Sequence, residues 1–108
     1  MSKVSFRCTM QEGQVGEDTR ALLADGLRRV AQEVLGEAPD DVSVSFSDIP
    51  TGYGFRGGEP STTSLVNGRI VGGVTQELRE EFMRSVIDMW TATSGCTVNE
   101  LVVTAADA

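Results

Sequence analysis

Histidine is absent from this 108-residue chain. That removes the commonest metal ligand and the one side chain whose ordinary pKa lies near neutrality. Ser-His-Asp triads, Cys-His dyads and histidine-bearing zinc sites go with it. Cysteine is scarce: Cys8 and Cys96 are too few for a disulfide framework and lack the spacing of a metal site. No metal and no cofactor is therefore expected. Basic residues number 9 against 16 acidic, and the formal net charge is −7. Nucleic-acid binders need a basic face to displace counterions from phosphates, and the one adjacent basic pair here is Arg28-Arg29. No nucleic-acid partner is expected, and anionic membrane surfaces are disfavoured for the same reason. Also missing is any apolar run as long as a bilayer span or a secretory signal. The expectation is no membrane partner and cytoplasmic residence. A small anionic ligand stays compatible, because a few arginines converging on a pocket overcome a negative global field.

What is present suits one folded domain over residues 1–108. Lys3 to Thr9 alternates, with Val4, Phe6 and Cys8 on one side and Lys3, Ser5 and Arg7 on the other. That period of two predicts a half-buried strand. Glu17-Asp18 opens a helix, with acidic residues where the macrodipole favours them. Leu23, Leu27, Val30 and Val34 form its stripe, widened by Leu22, Ala31 and Leu35. Gly36 ends it and Pro39 blocks its resumption. Val42, Val44 and Phe46 alternate with Ser43, Ser45 and Ser47 in a second strand. Gly52 to Pro60 is a loop by composition. Thr62 to Val71 is a third extended segment, expected to be interrupted near Asn67-Gly68. After Gly72-Gly73, Thr75 caps a second helix bearing Leu78, Phe82, Val86, Met89 and Trp90. Gly95 ends it, and Val98, Leu101 and Val103 form the last strand.

The order is strand, helix, strand, repeated once, so each half is a βαβ unit and the chain is weakly duplicated. Crossovers of one hand put both helices on one face of a four-stranded sheet, a two-layer α+β fold. The other face is bare in a monomer and is expected to carry Thr62, Ser64 and Val66 with Lys3, Ser5 and Arg7. Asp48 and Asp107 are carboxylates with acid–base potential, each read first as a surface or turn residue. Cys8 is read as buried and inert, with no bridge to Cys96.

The middle of the chain carries a resemblance. Gly54-Phe55-Arg56-Gly57-Gly58-Glu59-Pro60, then Ser64-Leu65, then Gly72-Gly73, matches a segment of the tautomerase superfamily in spacing. Ser47 to Gly52 is similar to the strand end and turn of its dehalogenase branch. The superfamily includes macrophage migration inhibitory factor, 4-oxalocrotonate tautomerase and cis-3-chloroacrylic acid dehalogenase. The resemblance spans about Lys3 to Thr104 and implies the βαβ-βαβ tautomerase fold, a homotrimer, and pockets between subunits near the start of the first strand. It also implies an N-terminal proline acting as base or nucleophile. Here that position is Ser2. The family's pocket lysine falls on Glu37, and the two carboxylate-binding arginines of the dehalogenase branch fall on Val71 and Val74.

The candidates that remain are few. Ser2, exposed if Met1 is removed, would offer a primary α-amine as base or Schiff-base former. Arg69, following Asn67-Gly68 in the segment that lines the pocket in relatives, is the candidate for gripping a carboxylate. Arg56 is a second such candidate, and Tyr53 a hydrogen-bonding or stacking one. Lys3 and Arg7 are read as facing the surface between subunits. Two functions follow from different classes. One is an enzyme performing proline-independent isomerisation, hydration or cyclisation of a small carbonyl or keto-acid compound. The other is a catalytically inactive trimeric binding or scaffold protein. A hetero-oligomer whose partner supplies the proline is a third arrangement.

Overall fold

Strand β1 (Val4–Gln11) buries every second residue: Val4, Phe6, Cys8 and Met10 are inside, while Lys3 and Arg7 are exposed. The computed structural model describes residues 3–13, 15–50, 55–56, 59–60 and 63–107. Helix α1 (Glu17–Leu35) follows, then strand β2 (Val42–Ile49), entered through a short 3-10 turn at Pro39–Asp41. Strand β5 (Ser64–Ile70), helix α2 (Gln76–Ser94) and strand β6 (Leu101–Asp107) repeat the pattern. Between the halves, β3 (Phe55–Arg56) pairs antiparallel with β4 (Glu59–Pro60). That corrects the expectation of a loop through Pro60: the backbones of these four residues form a small ribbon.

The sheet order is β2-β1-β5-β6. β1 runs parallel to β2, β5 parallel to β6, and the two halves meet in the antiparallel pair β1–β5. Parallel neighbours need a long crossover, and each helix supplies one. Both helices bury their apolar stripes against one face of this sheet. Leu23, Leu27, Val30 and Ala31 of α1 join Phe82, Val86, Met89 and Trp90 of α2 in a single core with β1 and β5. Phe6 and Phe82 stack with centroids 5.6 Å apart.

The helix ends are written in the sequence. Thr75 caps α2, its side chain accepting from the Leu78 N–H at 3.2 Å. Gly36 and Gly95 close the helices with φ of 71° and 77°, the left-handed conformation that glycine tolerates without strain.

Three expectations are revised. Leu22 is 59% exposed, so it lies outside the buried stripe of α1. Val98 sits exposed in a 3-10 turn (Val98–Glu100) before the last strand. Strand β5 is continuous through Asn67-Gly68, and its faces are reversed from the expectation. Ser64, Val66, Gly68 and Ile70 point to the helices, while Asn67 and Arg69 are exposed on the open face. The segment Ser-Leu-Val has apolar residues at both parities, so alternation alone could not choose; pairing with β1 does.

The duplication extends to side chains. Arg20 and Arg79 are each the fourth residue of their helix. Arg20 Nε donates to the Val15 carbonyl, and its Nη2 pairs with Asp48, 28 residues on. Arg79 Nη2 donates to the Val74 carbonyl and to Asp107 at 2.6 Å, again 28 residues on. Each arginine thus ties the loop before its helix to the end of the strand after it. Asp48 and Asp107 are therefore ion-paired carboxylates rather than free acid–base groups. Arg20 also lies 5.9 Å over the Phe46 ring.

Helix α1 approaches α2 at Gly26, where an added Cβ would overlap the Met89 sulfur. Gly→Ala in a helix ordinarily gains about 1 kcal/mol. Here overpacking is expected to outweigh that gain, so Gly26→Ala should lower stability by about 1–2 kcal/mol in denaturant unfolding. Combined with Met89→Ala, the loss should be smaller than the sum of the two single losses; strict additivity would deny the contact.

Burial pushes the Cys8 thiol from 9.0 up to about 12, by desolvation of its thiolate. Cys96 is only partly buried, and both cysteines are free. The native protein should therefore expose one thiol to a disulfide reagent, and the unfolded chain two. Because the unfolded Cys8 ionises first, its contribution to stability is intact below pH 9.0 and is lost as pH rises toward about 12. A Cys8→Ala variant should lack that alkaline component in a pH series of unfolding curves.

Candidate functional site

The open face of the sheet is ruled into rows by strand pairing. At the start of β1, the Lys3 N–H donates to the Asp41 carbonyl at 2.8 Å, and the Lys3 carbonyl accepts from the Val71 N–H at 2.9 Å. Lys3 is thereby held at the centre of the sheet, between the entry to β2 and the exit of β5. One row reads Ser43, Ser5, Arg69, Ala106 across the four strands. The next reads Ser45, Arg7, Asn67, Thr104. These two rows line a concavity of ≈ 490 Å³.

Hydrogen bonds order this surface. Ser43 Oγ donates to Ser5 Oγ at 3.2 Å, and Ser45 Oγ donates to the Phe6 carbonyl at 3.4 Å. Thr104 Oγ1 donates to Asn67 Oδ1 at 2.7 Å. Serine on the outward positions of β2 leaves room that larger side chains would fill. None of the outward strand residues in these rows is acidic, so Arg7 and Arg69 form no ion pair among the described residues. The chemistry available is hydrogen-bond donation and positive charge. Among the described residues, no three His, Cys, Asp or Glu side chains gather as a metal ion would require.

The residues singled out in the sequence are distributed unevenly. Asn67, Gly68 and Arg69 lie in register with Arg7, Phe6 and Ser5, and all six line the concavity. Gly68 contributes backbone only. A Cβ there would crowd the Thr104 carbonyl at 3.3 Å, while the rings of Phe82 and Phe6, at 3.5 and 3.6 Å, would stand at ordinary van der Waals distance. Ser2 and Tyr53 lie outside the described residues. Arg56 is described in its backbone alone, within β3. Two contributors were not singled out as ligand-binding: Arg7, which the sequence placed only at a surface, and Thr104, whose bond orients Asn67. The signal for Arg7 was its parity with Ser5, which β5 then sets opposite Arg69.

A second cavity, of ≈ 240 Å³, opens at the other end of β5 beside Ser64, Trp90, Cys96 and Glu100. Trp90 is fully buried, and its Nε1 has no hydrogen-bond partner among the described residues.

No helix among the described residues is long and apolar enough to cross a membrane. No protein-family model matches the chain, and no curated protein matches it either. Solved structures do. Native Ps01740 is 26% identical with a TM-score of 0.91, over 96% of this chain and 93% of that one. N1, a member of the cis-3-chloroacrylic acid dehalogenase family, is 17% identical with a TM-score of 0.90, over 96% of this chain and 74% of that one. A fused 4-OT solved as a symmetric trimer is 17% identical with a TM-score of 0.86, over 96% of this chain and 85% of that one. The shared features are the doubled βαβ topology and the helices gathered on one sheet face. Over 96% of its length, the chain therefore has the fold of the tautomerase superfamily.

Proposed function

We propose that this protein converts a small carbonyl or keto-acid compound by non-redox isomerisation, hydration or cyclisation, without an N-terminal proline, as a single-domain cytoplasmic homotrimer. The observation that carries the reading is the row at the start of β1. Arg69 stands opposite Ser5, and the backbone just before them is fixed at the sheet's centre. Solved relatives of the same fold include trimers of fused 4-OT, which supports the assembly.

In this mechanism Arg69 holds the substrate carboxylate through two parallel N–H···O bonds. Asn67 and the Gly68 backbone orient the carbonyl end, and Arg56 and Tyr53 are assigned as further substrate contacts. With Met1 removed, Ser2 presents a primary α-amine whose ordinary pKa is about 7.7, so roughly a sixth is neutral at pH 7. The neutral amine takes the α-proton as the C–H electrons move into the enolate. The ammonium so formed returns that proton to carbon or to the enolate oxygen, and no redox partner is needed. A second reading, a trimeric binding protein without turnover, is favoured by one fact: serine stands where the family's proline does.

Keto–enol conversion of phenylpyruvate tests the proposal, alongside intact-mass measurement of the mature N-terminus. Arg69→Ala should lower kcat/KM by about 10- to 100-fold, the loss of a charge-assisted pair. Ser2→Leu, which retains Met1 and displaces the amine, should abolish most of the activity while leaving keto-acid binding intact. Activity indifferent to both changes would overturn the site. A wild-type protein that binds keto acids without turning them over would establish the second reading instead.

A further inference from the structure

Four residues on the open face form a block with donors and no free carboxylate. Ser5 faces Arg69, and Arg7 faces Asn67. The arginines occupy one diagonal, which places their Cα atoms about 7–8 Å apart. Asn67 Oδ1 accepts from the Thr104 hydroxyl, and Ser5 Oγ accepts from the Ser43 hydroxyl. The donors this block offers are the Asn67 amide N–H pair, the Ser5 O–H and two guanidinium groups. Lys3 stands exposed at the same end, two residues before Ser5. Three of the chain's 9 basic residues thus share one face of a protein whose net charge is −7. Like charges this close raise each other's energy unless an anion lies between them.

The geometry points to a binding site for a tetrahedral oxyanion of the phosphate class, free or carried on a phosphomonoester, held between Arg7 and Arg69. A carboxylate has two oxygens in one plane and satisfies a single guanidinium fork. A phosphate group presents three or four oxygens in different directions. It therefore meets two forks from opposite corners and still accepts from Asn67 and Ser5. The concavity of ≈ 490 Å³ accommodates such a group with part of an attached molecule. This assignment rests on the single chain and holds whether or not a keto acid is turned over. The trimer proposed above adds a further reason, which does rest on that reading: burying unpaired guanidiniums between subunits is costly unless a counter-ion enters with them.

The test is thermal unfolding and isothermal titration of the full chain at constant ionic strength, with chloride, acetate, inorganic phosphate or glycerol phosphate as the added anion. Phosphate at about a hundred-fold over its Kd should raise the midpoint by about 10 °C, and acetate at the same concentration by far less. Arg7→Gln should lose the phosphate response. Arg7→Lys, which keeps the charge but not the fork, should bind more weakly than wild type; it also serves if Arg7→Gln does not fold. A stronger response to glycerol phosphate than to inorganic phosphate assigns the monoester, and the reverse assigns the free ion. Equal midpoints in chloride and phosphate would overturn the proposal. So would an Arg7→Gln protein that responds like wild type. Sedimentation in the same buffers separates the two readings. A monomer that still binds phosphate refutes the trimer and leaves this site standing, whereas a trimer indifferent to phosphate does the opposite.

Discussion

The antiparallel pairing of β1 with β5 is the constraint on which the molecule depends. It joins two βαβ halves that each leave an apolar face uncovered, and it fixes which side of every strand is inside. Its register sets Phe6 opposite Gly68, where an added Cβ would crowd the Thr104 carbonyl at 3.3 Å, beside the stack of Phe6 on Phe82. The same register sets Ser5 opposite Arg69 and Arg7 opposite Asn67 on the other face. A slip of one residue would send Val66 and Ile70 to solvent and Arg69 into the core, a cost no surface contact offsets. Core packing and site geometry are thus two consequences of one pairing.

The halves repeat more closely in their polar ties than in their cores. Arg20 and Arg79 occupy the same helix position and reach the same two partners, a carbonyl five residues back and a carboxylate 28 residues on. The cores differ: Trp90 and Phe82 are fully buried in α2, whereas α1 contributes Leu23, Leu27 and Ala31. A partly exposed ion pair contributes modestly to stability, about 0–1 kcal/mol. Its value here is geometric, since it anchors each helix start to the end of the following strand while the core between them varies.

Much of the fold was legible in the residues. Period-two runs gave β1 and β2, four-three spacing gave both helix stripes, and Gly36, Thr75 and Gly95 marked helix ends because their local chemistry permits little else. The parity of β5 was not legible, because Leu65 and Val66 are adjacent and both apolar. Nor was the pairing of Asp48 and Asp107, since a partner 28 residues away leaves no local mark. For the site, Asn67 and Arg69 were recognisable as candidates, and Thr104 as a support for Asn67 was not. A hydrogen bond between strands 37 residues apart exists only once β5 and β6 are aligned.

By itself the sequence determined the elements, their order and the classes of chemistry left open, because these follow from composition and from interactions within a few residues. The missing histidine belongs to that level. Tertiary structure decided which strand faces meet solvent, that Arg7 joins Arg69 on one of them, and that the two aspartates are occupied elsewhere. Those outcomes depend on the register of strands brought together from distant parts of the chain, and register is set by the free energy of the whole core rather than by any segment within it.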